Sequence, residues 1–300
     1  MKLVSFSIGD GRVRPGALLD EGGLVVDLTA AGYADALAVI AAGVSAIDKP
    51  GAYPAYKLSE VRLHAPFANP PRIFAIGLNY REHAIESKLT LPEFPVVFFK
   101  LQTSIVGPGE AIVLPRNSNE PDYEVELAFV IGKGGFRIPG SEWRDHVYGY
   151  TIVNDVSARD IQRSTSQWSM SKSFPTFCPM GPAIVTAGEI ADPHDLAIGL
   201  SISGEVLQNS RTSQLVFGVP ALIEYLSSIA PLLAGDIVST GTPSGVGLGR
   251  TPPRWLRPGD IVTATVEGLG SLTNPVVAEQ SAETAVLAGL AGRNCAIPLC

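Results

Sequence analysis

The chain has 300 residues, 46 % of them apolar, and a formal net charge of −7. That suffices for one large domain, or one domain with a small extra unit, around a full core. The acidic balance and the lack of a basic run argue against nucleic acid as a partner, and no apolar stretch reaches membrane-spanning length without a charge or a breaker. Plentiful glycine and proline favour many short strands and turns over a helical bundle. The opening Met1-Lys2-Leu3-Val4-Ser5-Phe6 reads as a strand, not as a signal peptide. Cys178, Cys295 and Cys300 form no metal or redox spacing, so a reduced, cytoplasmic setting is expected.

Residues 1–66 read as a small N-terminal β-rich domain. Gly9-Asp10-Gly11 and Glu21-Gly22-Gly23 mark turns between short apolar runs, which predicts a β-meander. A helix is predicted over 33–42, stopped by Gly43, and Pro50, Pro54 and Pro66 punctuate a loop-rich passage. This part carries no catalytic cluster and reads as a structural cap or a dimer element.

The main domain is expected over 67–279. A strand at 72–77 leads to Asn79, read as a helix N-cap, with Glu82 completing a capping box. His83 and Glu86, at i and i+3, share a helix face. A carboxylate against an imidazole fixes its tautomer and raises its basicity, so the pair is a candidate acid–base group; an exposed His with a Glu neighbour is the plainer reading. Pro92 and Pro95 keep this helix short, as a lid over a site would be.

Strands follow at 95–100 and 111–115, then the stretch that matters most, 122–132. Side chains alternate along a strand, so Glu124 and Glu126 point the same way, on the face of Ala128 and Val130. Val125, Leu127, Phe129 and Ile131 fill the other face. With both faces apolar, two neighbouring carboxylates repel and are costly to desolvate, and a divalent cation would resolve the conflict. An edge strand with both Glu in water would also explain them. Asp155 ends a further strand at 148–155, well placed to meet Glu124 and Glu126. Three carboxylates without clustered His or Cys describe an all-oxygen site for Mg²⁺, Mn²⁺ or Ca²⁺, with open positions for water or a chelating substrate.

Arg159, Gln162 and Lys172 come next. Lys172 sits between uncharged neighbours, which suggests partial burial, although a solvated loop lysine fits as well. Cys178 beside Pro179, with no His near it in sequence, is rejected as a nucleophile. A hairpin is predicted around Ser203-Gly204-Glu205, a helix over 219–226 with Pro220 in its first turn, and a strand pair over 260–267 and 270–274. Between them lies 241–247, Gly-Thr-Pro-Ser-Gly-Val-Gly, which is neither a phosphate loop nor a dinucleotide fingerprint. Its glycines let backbone approach a ligand, and Thr242 offers a hydroxyl and an amide. Residues 280–300 form an Ala-rich C-terminal tail, either a short helix or loose chain.

Five motifs in register, over about 70–275, resemble the fumarylacetoacetate hydrolase (FAH) superfamily. They are Gly77-Leu78-Asn79-Tyr80 with His83 and Glu86; Glu124-Val125-Glu126; Asn154 to Asp160; Ser171-Lys172-Ser173-Phe174; and 241–247. The resemblance is to the short bacterial, acylpyruvase-like branch. It implies an α+β, mainly β chain forming a mixed β-sandwich roll, as a homodimer. It implies Mg²⁺ or Mn²⁺ on Glu124, Glu126 and Asp155, and a His83–Glu86 dyad on a lid. Substrate contacts are implied for Arg159, Gln162, Lys172 and Thr242. A fourth carboxylate ligand known in the longer fumarylacetoacetase has no counterpart here.

The leading expectation is a C–C hydrolase acting on a 2,4-dioxo acid of the acylpyruvate or fumarylpyruvate type. His83, oriented by Glu86, would activate water, and the metal with Lys172 would stabilise a pyruvate enolate. The alternative keeps the enolate without hydrolysis: a 2-hydroxyhepta-2,4-diene-1,7-dioate isomerase, or an oxaloacetate decarboxylase or tautomerase. A non-catalytic binding protein on the same fold is the third reading. In each case the partner is a small 2-oxo acid.

Overall fold

The computed structural model describes residues 1–9, 11–19, 23–43 and 52–279. The expected tail, with Cys295 and Cys300, and the turn and loop residues Asp10, Glu21, Gly22 and Pro50 lie outside the described residues.

The N-terminal meander consists of β1 (Lys2–Ser7), β2 (Arg14–Leu19), β3 (Leu24–Asp27) and β4 (Ala55–Lys57), paired antiparallel in sequence order. Between β3 and β4 lies α1 (Ala36–Ala42). It starts three residues later than the pattern suggested, because Asp35 caps it by accepting from the Ala38 N–H at 2.9 Å; Gly43 closes it, as expected. Strand β5 (Arg62–His64) then pairs with β1.

The remainder runs β6 (Ile73–Gly77), α2 (Arg81–Glu86), β7 (Val96–Lys100), β8 (Ile105–Val106), β9 (Ile112–Leu114), β10 (Pro121–Asp122), β11 (Val125–Ile131), α3 (Trp143–His146), β12 (Val147–Asn154), β13 (Ser157–Ala158) and α4 (Arg159–Ser164). It continues with β14 (Cys178–Thr186), β15 (Ala197–Ile202), β16 (Glu205–Arg211), α5 (Val219–Ile229), β17 (Ile237–Ser239), β18 (Ile261–Val266) and β19 (Gly270–Ala278). The central sheet has the order β4-β3-β2-β1-β14-β12-β11-β17-β6-β7, and the meander joins it where β1 pairs with β14. A second sheet, β16-β15-β18-β19-β9, packs over its middle.

Strand β11 explains why the carboxylates lie deep. Val125, Leu127, Phe129 and Ile131 pack with Leu200 and Val262 of the second sheet and with Leu222 of α5. Ala128 and Val130 face the opposite cluster, with Leu3, Val39 and Ile40. The expected alternation therefore holds, and every residue of β11 is buried. A buried aliphatic side chain contributes about 1.5–3 kcal/mol, so this strand cannot slide without large loss. On α5, Val219, Leu222, Ile223 and Leu226 are buried at the i, i+3, i+4, i+7 spacing, with Pro in the first turn as read from the sequence.

Asn79 corrects one expectation. Tyr80, not Asn79, is the N-cap of α2, and no side chain caps it. Asn79 instead clamps three segments together. Its amide donates to the Phe217 carbonyl at 3.0 Å and the Thr240 carbonyl at 2.8 Å, and its oxygen accepts from the Phe217 N–H at 2.8 Å. Tertiary partners outbid the local cap here, since a fully buried amide leaves none of its polar atoms for solvent. Glu82 likewise accepts from the hydroxyls of Ser210 and Ser244, both at 3.2 Å, rather than closing a capping box. Asn79→Ala strands buried partners on two loops and is expected to lower stability by about 2–4 kcal/mol, read as a lower urea midpoint at unchanged m-value.

Candidate metal and acid–base site

Strands β11 and β12 pair antiparallel, with Val125 opposite Asn154 and Glu126 opposite Val153. The pairing extends past the strand ends, where the Asp155 N–H donates to the Glu124 carbonyl at 2.8 Å. The Asn154 side chain accepts from the Glu124 N–H at 2.9 Å and fixes the backbone there. Glu124, Glu126 and Asp155 converge in consequence: each offers a carboxylate oxygen within 4.8 Å of the others, and all three are buried. The sequence placed these three together, and the register is the reason they meet.

Three cations surround them. Arg159, at the start of α4, donates from Nη2 to Glu124 Oε1 at 2.5 Å, from Nε to Asp122 Oδ2 at 2.8 Å, and from Nη1 to Gln162 Oε1 at 2.9 Å. Lys172 donates from Nζ to Glu124 Oε2 and to Asp155 Oδ2, the latter at 2.7 Å. Lys100, at the end of β7, donates to Asp155 Oδ1 at 2.6 Å and to the Lys172 carbonyl. Glu126 has no cation. It accepts from the Ser239 hydroxyl at 2.5 Å and the Gly241 N–H at 2.9 Å. Gly241 has φ +96°, and a Cβ there would lie 2.9 Å from the Ile76 carbonyl oxygen, so only glycine lets that amide reach Glu126.

The charge distribution follows from these contacts. Burial pushes Glu126 up to about 8, reinforced by Asp155 and then Glu124. Burial acts on Glu124 in the same sense, but Arg159 and Lys172 overcome it and hold that carboxyl well below its ordinary range. Lys172 is held above its ordinary value, its burial outweighed by Asp155 and Glu124. The site therefore holds one carboxyl group, Glu126, with no cation hydrogen-bonded to it; burial and the two neighbouring carboxylates favour its protonated form, and Lys172 offsets this only in part. A hard dication fits an all-oxygen set of this kind; no His or Cys belongs to the cluster among the described residues.

The dyad is also assembled. His83 Nδ1 lies 3.3 Å from Glu86 Oε2, and the imidazole is buried. His83 is close enough to Glu124 to help lower its pKa, after Arg159 and Lys172. Glu86 Oε1 accepts from the Gly245 N–H at 2.9 Å, so with the Glu82–Ser244 bond α2 is fastened onto the loop 241–247, while the Glu82–Ser210 bond ties it to β16. Thr242 is buried in that loop, and its Oγ1 accepts from Gln208 Nε2 at 2.8 Å. Gln208 also accepts from the Val125 N–H at 3.0 Å, linking the loop to β11. Gln162 is half-buried, and its amide nitrogen has no partner among the described residues. Each of Arg159's three nitrogens donates to a protein oxygen, on Asp122, Gln162 and Glu124.

Three residues of the site, Lys100, Asp122 and Ser239, are assigned no part in it from the sequence, and Asn154 enters only as a motif residue without a role. Lys100 is the lone charge closing the apolar run Val96-Val97-Phe98-Phe99, a weak signal for a buried cation. Asp122 accepts from Arg159 and from the N–H groups of Gly247 at 2.7 Å and Leu248 at 3.0 Å, a role visible only when the distant loop is folded against it. Burial pushes the Cys178 thiol up to about 12, in keeping with its rejection as a nucleophile.

Residues 72–277 match the family described as Fumarylacetoacetate (FAA) hydrolase C-terminal. A Xenopus laevis protein named "Oxaloacetate tautomerase fahd2, mitochondrial" is 42 % identical over 292 residues, 92 % of this chain and 90 % of that one. Among solved structures, the fumarylacetoacetate hydrolase of psychrophilic Exiguobacterium antarcticum aligns with a TM-score of 0.83 at 36 % identity, covering 93 % of this chain and 100 % of that one. Maleylpyruvate hydrolase from Sphingobium sp. SYK-6, in complex with manganese(II) and pyruvate, aligns with a TM-score of 0.78 at 29 % identity and the same coverages. No helix of the described residues is long and apolar enough to cross a membrane.

Glu126 yields a prediction for the metal-free protein. Folded Glu126 binds its proton more tightly than the unfolded chain does, so its contribution to stability is complete below the ordinary value of 4.5 and is lost as pH rises through about 8. Glu126→Gln removes that dependence. In EDTA, the stability of Glu126→Gln relative to the parent should rise by about 1 kcal/mol per pH unit between about pH 5 and pH 8. Urea unfolding across that range measures it, and a flat difference would contradict the assignment.

Proposed function

Because the chain belongs to the fumarylacetoacetate hydrolase family, we propose that it is an enzyme of that family which interconverts the keto and enol forms of oxaloacetate with Mg²⁺ or Mn²⁺ bound. The observation that carries this reading is the juxtaposition of three buried carboxyl groups, one of them without a hydrogen-bonded cation, with an ammonium group and a His–Glu pair. Such a site stabilises an oxyanion and moves one proton, which is all that tautomerisation needs. The name of the relative that is 42 % identical supports oxaloacetate as the substrate.

A divalent ion on Glu124, Glu126 and Asp155 would supply the positive charge that favours the enolate over the ketone. The protein's own groups do the rest. His83, with Nδ1 turned to Glu86, presents Nε2 to take a proton from C3 of the keto acid. Lys172 gives a proton to the 2-oxygen, completing the enol; the reverse order regenerates the ketone. The Gln162 amide nitrogen and the Thr242 hydroxyl position the carboxylates, and Arg159 holds Glu124 and Gln162 still. A buried site keeps water from competing for these donors.

Hydrolysis of a 2,4-dioxo acid is the second reading, favoured by the dyad, since the same His83 would serve to deprotonate water. The likeness to maleylpyruvate hydrolase supports it. Isomerisation of an unsaturated 2-oxo dioic acid uses the same steps as tautomerisation. We further propose a homodimer in the cytoplasm, with sedimentation velocity as the check on assembly.

With Mn²⁺, the protein should speed decay of the enol absorbance of oxaloacetate above the buffer rate, and EDTA should abolish the gain. His83→Ala should lower the rate by about 10²–10⁴. Proton NMR of the products separates the readings. Cleavage of an acylpyruvate with no effect on oxaloacetate would replace tautomerisation by hydrolysis.

A further inference from the structure

We propose that Lys100 and Lys172, two ammonium groups on one carboxylate, have opposite roles toward the metal. Lys172 occupies the cation position between Glu124 and Asp155 and is displaced when the ion binds. Lys100 stays on Asp155 and turns it toward the ion. The proposal rests on reading the acidic cluster as a metal centre, but not on the substrate assigned above.

Each carboxylate has one oxygen pinned and one that can be released. Glu124 Oε1 is held by Arg159 at 2.5 Å, and Oε2 by Lys172, with the Ser157 hydroxyl donating to Oε2 at a long 3.4 Å. Asp155 Oδ1 is held by Lys100 at 2.6 Å, and Oδ2 by Lys172 at 2.7 Å. Glu126 Oε2 is held by Ser239 and Gly241, and Oε1 has no hydrogen-bond partner among the described residues. The three remaining oxygens, Glu124 Oε2, Glu126 Oε1 and Asp155 Oδ2, are one per ligand. Two of them are those that Lys172 bridges. An ammonium and a dication compete for the same oxygens, and the dication brings twice the charge.

The surroundings of the two lysines differ in the same sense. Lys100 has a fully buried side chain, and its second bond goes to the Lys172 carbonyl. That bond ties β7 to the loop and gives the ammonium no second position. Lys172 has another contact besides the carboxylates: its Nζ already lies 5.1 Å from the centroid of the Phe98 ring, a face that can retain a cation released from them. On metal binding the Lys172–carboxylate contacts would break and the ammonium, keeping its protons, would be retained by the Phe98 ring, which would leave Glu124 and Asp155 to hold the ion. The displaced group is then placed to meet an anionic substrate.

Isothermal titration with Mn²⁺ tests this in the full-length protein. Lys172→Met should bind Mn²⁺ at least about tenfold more tightly than the parent, whereas Lys100→Met should bind at least about tenfold more weakly. If both lysines acted only as repelling charges, both variants would bind more tightly, and that result overturns the proposal, as does weaker binding by Lys172→Met. Because Lys100→Met leaves Asp155 Oδ1 without its buried partner and so costs stability, a crystal structure of the unmutated protein with Mn²⁺ gives an independent reading. Lys172 Nζ should lie beyond hydrogen-bond reach of both oxygens, with Lys100 still on Asp155 Oδ1. Lys172 bridging the carboxylates beside a bound ion overturns the proposal alone. A parent protein that binds no Mn²⁺ overturns the metal reading and this inference together.

Discussion

Mutual repulsion among Glu124, Glu126 and Asp155 is the constraint to which the rest of the structure answers. Three carboxyl groups within 4.8 Å of one another, all buried, could not persist in a bare apolar interior. The protein offsets most of the cost with Arg159, Lys172 and Lys100, and with the Ser239 hydroxyl and Gly241 amide on Glu126. Glu126 is the one left without a hydrogen-bonded cation, and burial first, then Asp155 and Glu124, raise its pKa. A carboxyl group kept partly protonated in this way, beside two ionised ones, is a place where a dication could bind by displacing a proton.

The scaffold is arranged to hold this conflict rigidly. Glu124 and Glu126 flank and enter a strand buried on both faces, and Asp155 follows its hydrogen-bonded neighbour. Loops from remote parts of the chain then close around them. Gln208 joins β11 to Thr242, Asp122 gathers the amides of Gly247 and Leu248, and Glu86 accepts from Gly245. Helix α2 is thus attached to the same loop that supports the carboxylates, so the His83–Glu86 pair and the charge cluster are tied to one another.

This arrangement suits enolate chemistry in general. Charge develops on one oxygen, a proton moves at one carbon, and the groups needed for both are preorganised before substrate arrives. Tautomerase, isomerase and hydrolase differ in whether the carbon accepts a proton or loses an acyl group to water. The proposed division between a fixed lysine and a displaceable one would bear on all three, since it would decide which ammonium meets the substrate.

The sequence alone determined the parts governed by local periodicity. Alternation in 122–132 assigned Glu124 and Glu126 to one face, the spacing of His83 and Glu86 put them together, and the apolar stripe with Pro220 marked α5, because strand and helix periods are properties of consecutive residues. The motif set also carried the family. Tertiary structure alone decided who partners whom across long separations. It turned Asn79 from a helix cap into a clamp on residues 217 and 240, engaged all three of Arg159's nitrogens, and put Lys100 on Asp155, 55 residues away. Nothing in the order of residues fixes which buried donor meets which acceptor; that depends on strand register and loop closure, which exist only once the sheets are packed.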